Sequence, residues 1–124
     1  MVIHKSAEDY LEQILILLEK KGYTRSVDIS EALSVTKPSV SVAMKKLREG
    51  GYISMDKGGL ISLTDKGYPI ARRIYDRHLT LTKFFISIGV DDATAQDDAC
   101  KTEHVISEET FSMIRRQLET REGS

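Results

Sequence analysis

Apolar residues recur at helical spacing along most of this chain, and a short central stretch replaces that pattern with strand-like runs. Leu11, Ile14, Leu15 and Leu18 predict a helix from Ser6 to Lys20, with Ser6 and the acid three residues on as its capped start and Lys20, Lys21 and Gly22 as its end. Ser26 opens a second, short helix on which Ile29 and Leu33 lie four apart. Pro38, at home in a first helical turn, opens a third that runs to Glu49, with Thr36 or Lys37 just outside it. Its inward stripe is Val40, Ala43, Met44 and Leu47, and Gly50 with Gly51 stops it. Tyr52 to Met55 and Leu60 to Leu63 are strand-like, and Asp56, Lys57, Gly58 and Gly59 between them signal a hairpin. Thr64 caps a long fourth helix, Asp65 to about Ile88, with Pro69 in its first turns as a cause of a kink or a delayed start. Gly89 ends it, Asp91 or Asp92 caps a fifth, and Ser107 with Glu108 and Glu109 marks a sixth bearing Phe111, Met113, Ile114 and Leu118.

Short helices followed by a hairpin make a winged helix-turn-helix pattern, whose second helix-turn-helix element reads the DNA major groove. The expected fold is mainly α: a winged helix-turn-helix DNA-binding domain over residues 1–64, then an all-helical domain over 65–124. The surplus of apolar helix face in the last 36 or so residues suggests a partner subunit, and a two-fold homodimer would present two reading helices to a palindromic operator. A compact monomeric bundle is the alternative.

Composition narrows the class. With 124 residues, 40% hydrophobic and 30% charged, the chain has the makeup of an ordinary globular protein and not of a disordered one. The longest apolar run, Ile14 to Leu18, is too short to span a bilayer, and no leader pattern opens the chain, so a cytoplasmic protein with no membrane partner is expected. A single cysteine, Cys100, excludes an intrachain disulfide.

The net charge of −1 conceals an asymmetry. Residues 21–67 carry eight basic against five acidic side chains, whereas residues 91–110 carry seven acids against Lys101 alone. The first stretch suits a polyanion and the second a cation. The expected DNA-facing residues are Arg25, Lys37, Pro38, Ser39, Ser41, Val42, Lys45, Lys46 and, at the hairpin tip beside phosphate, Lys57. An ordinary amphipathic helix with a solvated basic face would look the same.

The acidic stretch holds the densest chemistry. Cys100, Glu103 and His104 stand at i, i+3 and i+4, so in a helix they project from one face, and thiolate, carboxylate and imidazole together suit a transition-metal ion. Asp9 and Glu12 are spaced i, i+3 on the first helix, and His78 lies on the fourth. Solvated acids and structural histidines are the competing account of each.

Taken in order, these segments resemble the diphtheria-toxin-repressor and manganese-transport-regulator family of metal-dependent transcriptional repressors. The resemblance runs through residues 8–14, the Asp28 to Leu33 helix, the Lys37-Pro38-Ser39-Val40-Ser41 opening of the reading helix, and residues 98–107. It implies a homodimeric winged-helix DNA-binding domain joined to a helical metal-binding and dimerisation domain. The implied metal ligands are Asp9, Glu12, His78, Cys100, Glu103 and His104. Asp9 matches the manganese-type members and Cys100 the iron-type ones, so the set is a hybrid. Thr82 and Gln96 stand where iron-type members carry an acid and a histidine, which implies that their ancillary site is absent in its usual form. The chain ending at Ser124 is expected to lack the SH3-like third domain.

The implied corepressor is Fe(II) or Mn(II), with a slight preference for Fe(II); Co(II) or Zn(II) could substitute. A metal-independent winged-helix regulator sensing a small molecule or redox change through Cys100 is the alternative, and a protein–protein interaction module a third reading. No nucleophile-and-base motif supports an enzyme.

Overall fold

The computed structural model describes residues 5–122, so residues 1–4 and 123–124 of the two expected domains lie outside the described residues. Along the chain run α1 (Lys5–Lys21), α2 (Ser26–Leu33), α3 (Lys37–Glu49), β1 (Ile53–Met55), β2 (Ile61–Leu63), α4 (Gly67–Ser87), α5 (Asp92–Thr102) and α6 (Glu108–Glu122). Two compact units divide within α4, the first ending at Arg73 and the second beginning at Ile74.

In the first unit the helices pack against one another and against the hairpin. Leu11, Ile14 and Leu15 of α1, Ile29 of α2, Val40, Met44 and Leu47 of α3, and Tyr52, Ile53 and Ile61 of the hairpin region are all buried. The spacing of these residues sets the local structure, because each helix turns one apolar stripe inward. Helix α1 already includes Lys5, so Ser6 lies inside its first turn and is not a cap. The Gly22 amide closes the other end on the Leu18 carbonyl at 2.9 Å, with Gly22 at a φ of +83° that favours glycine.

Helix α2 does begin at Ser26, but its capping residue is Arg25. The cap works through Asp28, whose carboxylate accepts the Arg25 amide at 2.8 Å. Thr36 caps α3, its hydroxyl oxygen accepting the Ser39 amide at 3.3 Å. Lys37 is the first helical residue, and Pro38 sits one position in, where its missing amide costs nothing.

The hairpin is antiparallel, with Ile53 opposite Leu63, Ser54 opposite Ser62 and Met55 opposite Ile61. Asp56 organises its turn by accepting the amides of Gly58 and Leu60, both at 2.9 Å. The Ile61 amide also bonds to the carbonyl of fully buried Thr24, tying the hairpin to the loop before α2. At Gly67 a side chain would collide with the Tyr52 carbonyl, so only glycine lets α4 start here. That start is two residues later than Asp65, and Pro69 accordingly lies within the first turn, without an amide to lose.

The second unit has a smaller apolar centre: Leu81, Ala99 and Phe111, with Phe85, Ile106 and Ile114 packed against it. Asp91 caps α5 by accepting the Thr94 amide, and Ser107 does the same for Thr110 at the start of α6. Met113, Ile86 and Ile88 remain exposed. Among the described residues no helix is long and apolar enough to cross a membrane.

Candidate metal centre and nucleic-acid interface

Helix α5 stops at Thr102, so Glu103 and His104 belong to the turn that follows it and not to the helix that carries Cys100. Glu103 keeps a right-handed helical backbone and its amide still reaches the Ala99 carbonyl at 2.9 Å, which preserves the register from Cys100 to Glu103. His104 is placed by the turn itself, where the Val105 and Ile106 amides both bond to the Thr102 carbonyl at 3.0 Å.

The Glu103 side chain is fully buried. His78 Nδ1 of α4 lies 3.0 Å from its Oε2, and His104 Nε2 lies 3.4 Å from its Oε1. Oε1 nevertheless makes no hydrogen bond. A carboxyl group buried from solvent with one oxygen unbonded is costly unless a partner compensates it. Cys100 Sγ lies within 4.8 Å of a Glu103 carboxylate oxygen, and Cys100 itself is exposed. The second unit thus brings together four of the six expected ligands: His78, Cys100, Glu103 and His104. Imidazole and thiolate beside one buried carboxyl group are a donor set that fits a divalent transition metal.

In the first unit, Asp9 and Glu12 stand three residues apart on α1, Asp9 half-buried and Glu12 buried. Glu8, also buried, is paired with Arg73 at 3.1 Å. Helix formation from Lys5 onward therefore holds two acids on one stretch of α1 out of bulk water.

One residue of the second unit has no counterpart in the sequence reading. Arg77, only 5% exposed, donates from Nη1 to the carbonyls of Glu103 (3.1 Å) and Ile106 (3.0 Å), and from Nη2 to Glu108 Oε2 (2.7 Å). Its signal is in the spacing: Ile70, Ile74 and Leu81 form the apolar stripe of α4, and position 77 falls on that stripe.

The expected DNA-facing residues of α3 are all on its outer side. Lys37, Pro38, Ser39, Ser41, Val42, Lys45 and Lys46 are exposed, while Val40, Met44 and Leu47 face the core. Val42 stands out as an exposed apolar side chain on that face. Arg25 is exposed, donates from Nε to the Gly58 carbonyl at 3.1 Å, and lies over the Tyr23 ring, so it is held against the hairpin turn that carries exposed Lys57. A helix with a basic outer face beside a basic turn has the makeup of a phosphate-contacting surface.

Comparison with known proteins finds a DNA-binding and a metal-binding domain family in this order along the chain. Residues 3–59 match the iron dependent repressor N-terminal DNA binding domain, and residues 64–123 match the iron dependent repressor metal binding and dimerisation domain. The chain is 41% identical over 109 residues to the HTH-type transcriptional regulator MntR of Bacillus pumilus, covering 88% of this chain and 76% of that protein. It is 39% identical to the regulator of the same name from Lysinibacillus sphaericus, covering 88% and 78%. A solved manganese-dependent transcriptional repressor in complex with manganese superposes with a TM-score of 0.83 at 27% identity, over 91% of this chain and 52% of that one. The chain thus spans about half the length of that solved relative.

Proposed function

The chain belongs to the iron dependent repressor family, and we propose that it is a metal-dependent DNA-binding transcriptional regulator, a repressor in metal-ion homeostasis that takes Fe(II) or Mn(II) as corepressor. The observation that carries this reading is the buried Glu103 carboxylate between His78 and His104, with one oxygen left unbonded. In this reading His78, Cys100, Glu103 and His104 are metal ligands, and Asp9 and Glu12 of α1 complete the set. A bound dication supplies positive charge that relieves the repulsion among these carboxylates. Cys100 favours Fe(II) and the carboxylates accept Mn(II), while Co(II) or Zn(II) could replace either in vitro.

The functional boundary we propose falls at residue 64, with residues 1–64 reading DNA and 65–124 binding metal and dimerising. Lys37, Lys45, Lys46, Arg25 and Lys57 contact phosphate, and Pro38, Ser39, Ser41 and Val42 face the base edges. Exposed Met113 and Ile86 in the helical unit are consistent with a homodimer. Two subunits would hold their α3 helices about 34 Å apart on a palindromic operator, one turn of the duplex. Ligands drawn from α1 and from the second unit would couple metal binding to that spacing. The working compartment is the cytoplasm, and the reading assigns the cluster to regulation and not to catalysis.

The test is selection of binding sites from random duplex DNA, anaerobically, in parallel with Fe(II), Mn(II) and chelator. A palindrome enriched only with metal is the expected result, and the more effective ion is the corepressor. Equal enrichment under chelator would overturn the corepressor role. The exposed Cys100 thiol favours one second reading, a redox-sensing regulator; it predicts no rise in melting temperature on adding metal, whereas a metal-binding native state must show one.

A further inference from the structure

An arginine side chain seldom loses nearly all its solvent unless its bonds compensate, and those of Arg77 are directed at one short stretch of backbone. Its Nη1 bridges the carbonyls of Glu103 and Ile106, the two ends of the turn that carries Glu103 and His104. Carbonyls at and past a helix C-terminus have no amide of their own helix to receive. Here the guanidinium is their donor. Nη2 continues to Glu108, the first residue of α6, and the group lies over the buried Phe111 ring with its centre 5.2 Å from the centroid. Arg77 is also the immediate neighbour of His78, so one turn of α4 both contacts the Glu103 carboxylate and fixes the backbone beneath it.

We propose that Arg77 is a positioning residue of the metal centre, clamping the turn from Glu103 to Ile106 so that the Glu103 carboxylate and the His104 imidazole are held ready for a cation. The inference rests on the metal-centre reading above and adds to it a residue that ligates nothing. The ion pair with Glu108 is the lesser part of the clamp. The Glu108 side chain is 74% exposed, and exposed pairs contribute little. The two carbonyl bonds form inside the unit and depend on the planar fork of donors, which a lysine ammonium at the end of a flexible stem does not reproduce. Arg77 Nε makes no hydrogen bond although it is buried, so the side chain is oriented to serve the turn at the expense of its own third donor.

The experiment uses the whole chain and Mn(II) as probe, with affinity and the spectrum of the bound ion read by electron paramagnetic resonance and the melting temperature measured separately in chelator. Arg77→Lys, Arg77→Met and Glu108→Gln are compared with the unaltered protein. Both Arg77 variants are expected to bind Mn(II) about ten- to a hundredfold more weakly, the range typical for outer partners of metal ligands. Their bound-ion spectra should be broadened, while Glu108→Gln stays close to the unaltered protein in both readouts. Unchanged affinity and spectrum in a folded Arg77 variant would overturn the proposal, and so would failure of both Arg77 variants to fold, since either result makes the arginine structural only. Absence of Mn(II) binding by the unaltered protein is a separate outcome, which removes the metal centre itself.

Discussion

The two units of this chain solve the problem of their interiors differently. The first fills its centre with aliphatic and aromatic side chains from three helices and a hairpin, and sends its lysines outward on α3. The second has a small centre in which Ala99 stands beside Leu81 and Phe111, and it buries a carboxyl group, Glu103, and an arginine, Arg77. Burial of apolar area needs nothing further to be favourable. Burial of a polar group such as Glu103 costs free energy unless it is bonded, and its Oε1 remains without a hydrogen bond. The first unit thus rests mainly on apolar burial, although Glu8 and Glu12 of α1 are buried too, whereas the second closes a small centre around a fully buried carboxyl group.

The sharpest way to break this contrast is Glu103→Ala. Metal affinity should fall by more than about a hundredfold, beyond the usual cost of losing an outer-shell partner, and the rise in melting temperature on adding metal should vanish. The melting temperature in chelator should hold or rise, because a buried oxygen without a hydrogen-bond partner is removed. A collapse of the metal-free fold would show instead that the carboxylate is structural. Ile14→Ala tests the other unit: unfolding in urea should lose about 2–5 kcal/mol, as for other fully buried aliphatic side chains. Metal affinity per folded molecule should change little.

Two smaller effects sharpen the picture at the surface. Lys46→Ala should lower the slope of log DNA affinity against log salt by about 1, with no change in metal affinity, if its exposed ammonium meets phosphate. The smallest effect concerns pH. The Lys21 ammonium, bonded at 2.8 Å, and the Arg25 amide hold the Asp28 carboxyl below its ordinary range. A depressed carboxyl contributes stability above its unfolded value and loses it as pH falls through the folded one. Asp28→Asn should therefore lower the urea midpoint slightly at neutral pH and leave it unchanged in strong acid.

Much of the fold was legible because it depends on local periodicity. The stripe Val40, Met44 and Leu47 set which side of α3 is buried, and so placed Lys45 and Lys46 outside. Gly22, Gly50, Gly89 and Asp91 punctuated the helices as expected. The misreadings are also local. Ser6 looked like a cap, yet the helix already contains Lys5; α2 is capped through Asp28 because a carboxylate three residues in can accept the Arg25 amide as well as a serine could. Helix α5 ends before Glu103, a boundary that no glycine or proline announces.

The sequence by itself determined the helical units with their hairpin, the basic face of α3, and the clustering of Cys100, Glu103 and His104, since each follows from spacing and side-chain chemistry over a few residues. Only the tertiary structure decided that Glu103 is fully buried against His78, twenty-five positions away, and that Arg77 turns its guanidinium onto the Glu103 and Ile106 carbonyls. Burial and long-range hydrogen bonds depend on which helices pack together, and an arginine on an apolar stripe gives no sign in sequence of which distant backbone will satisfy it.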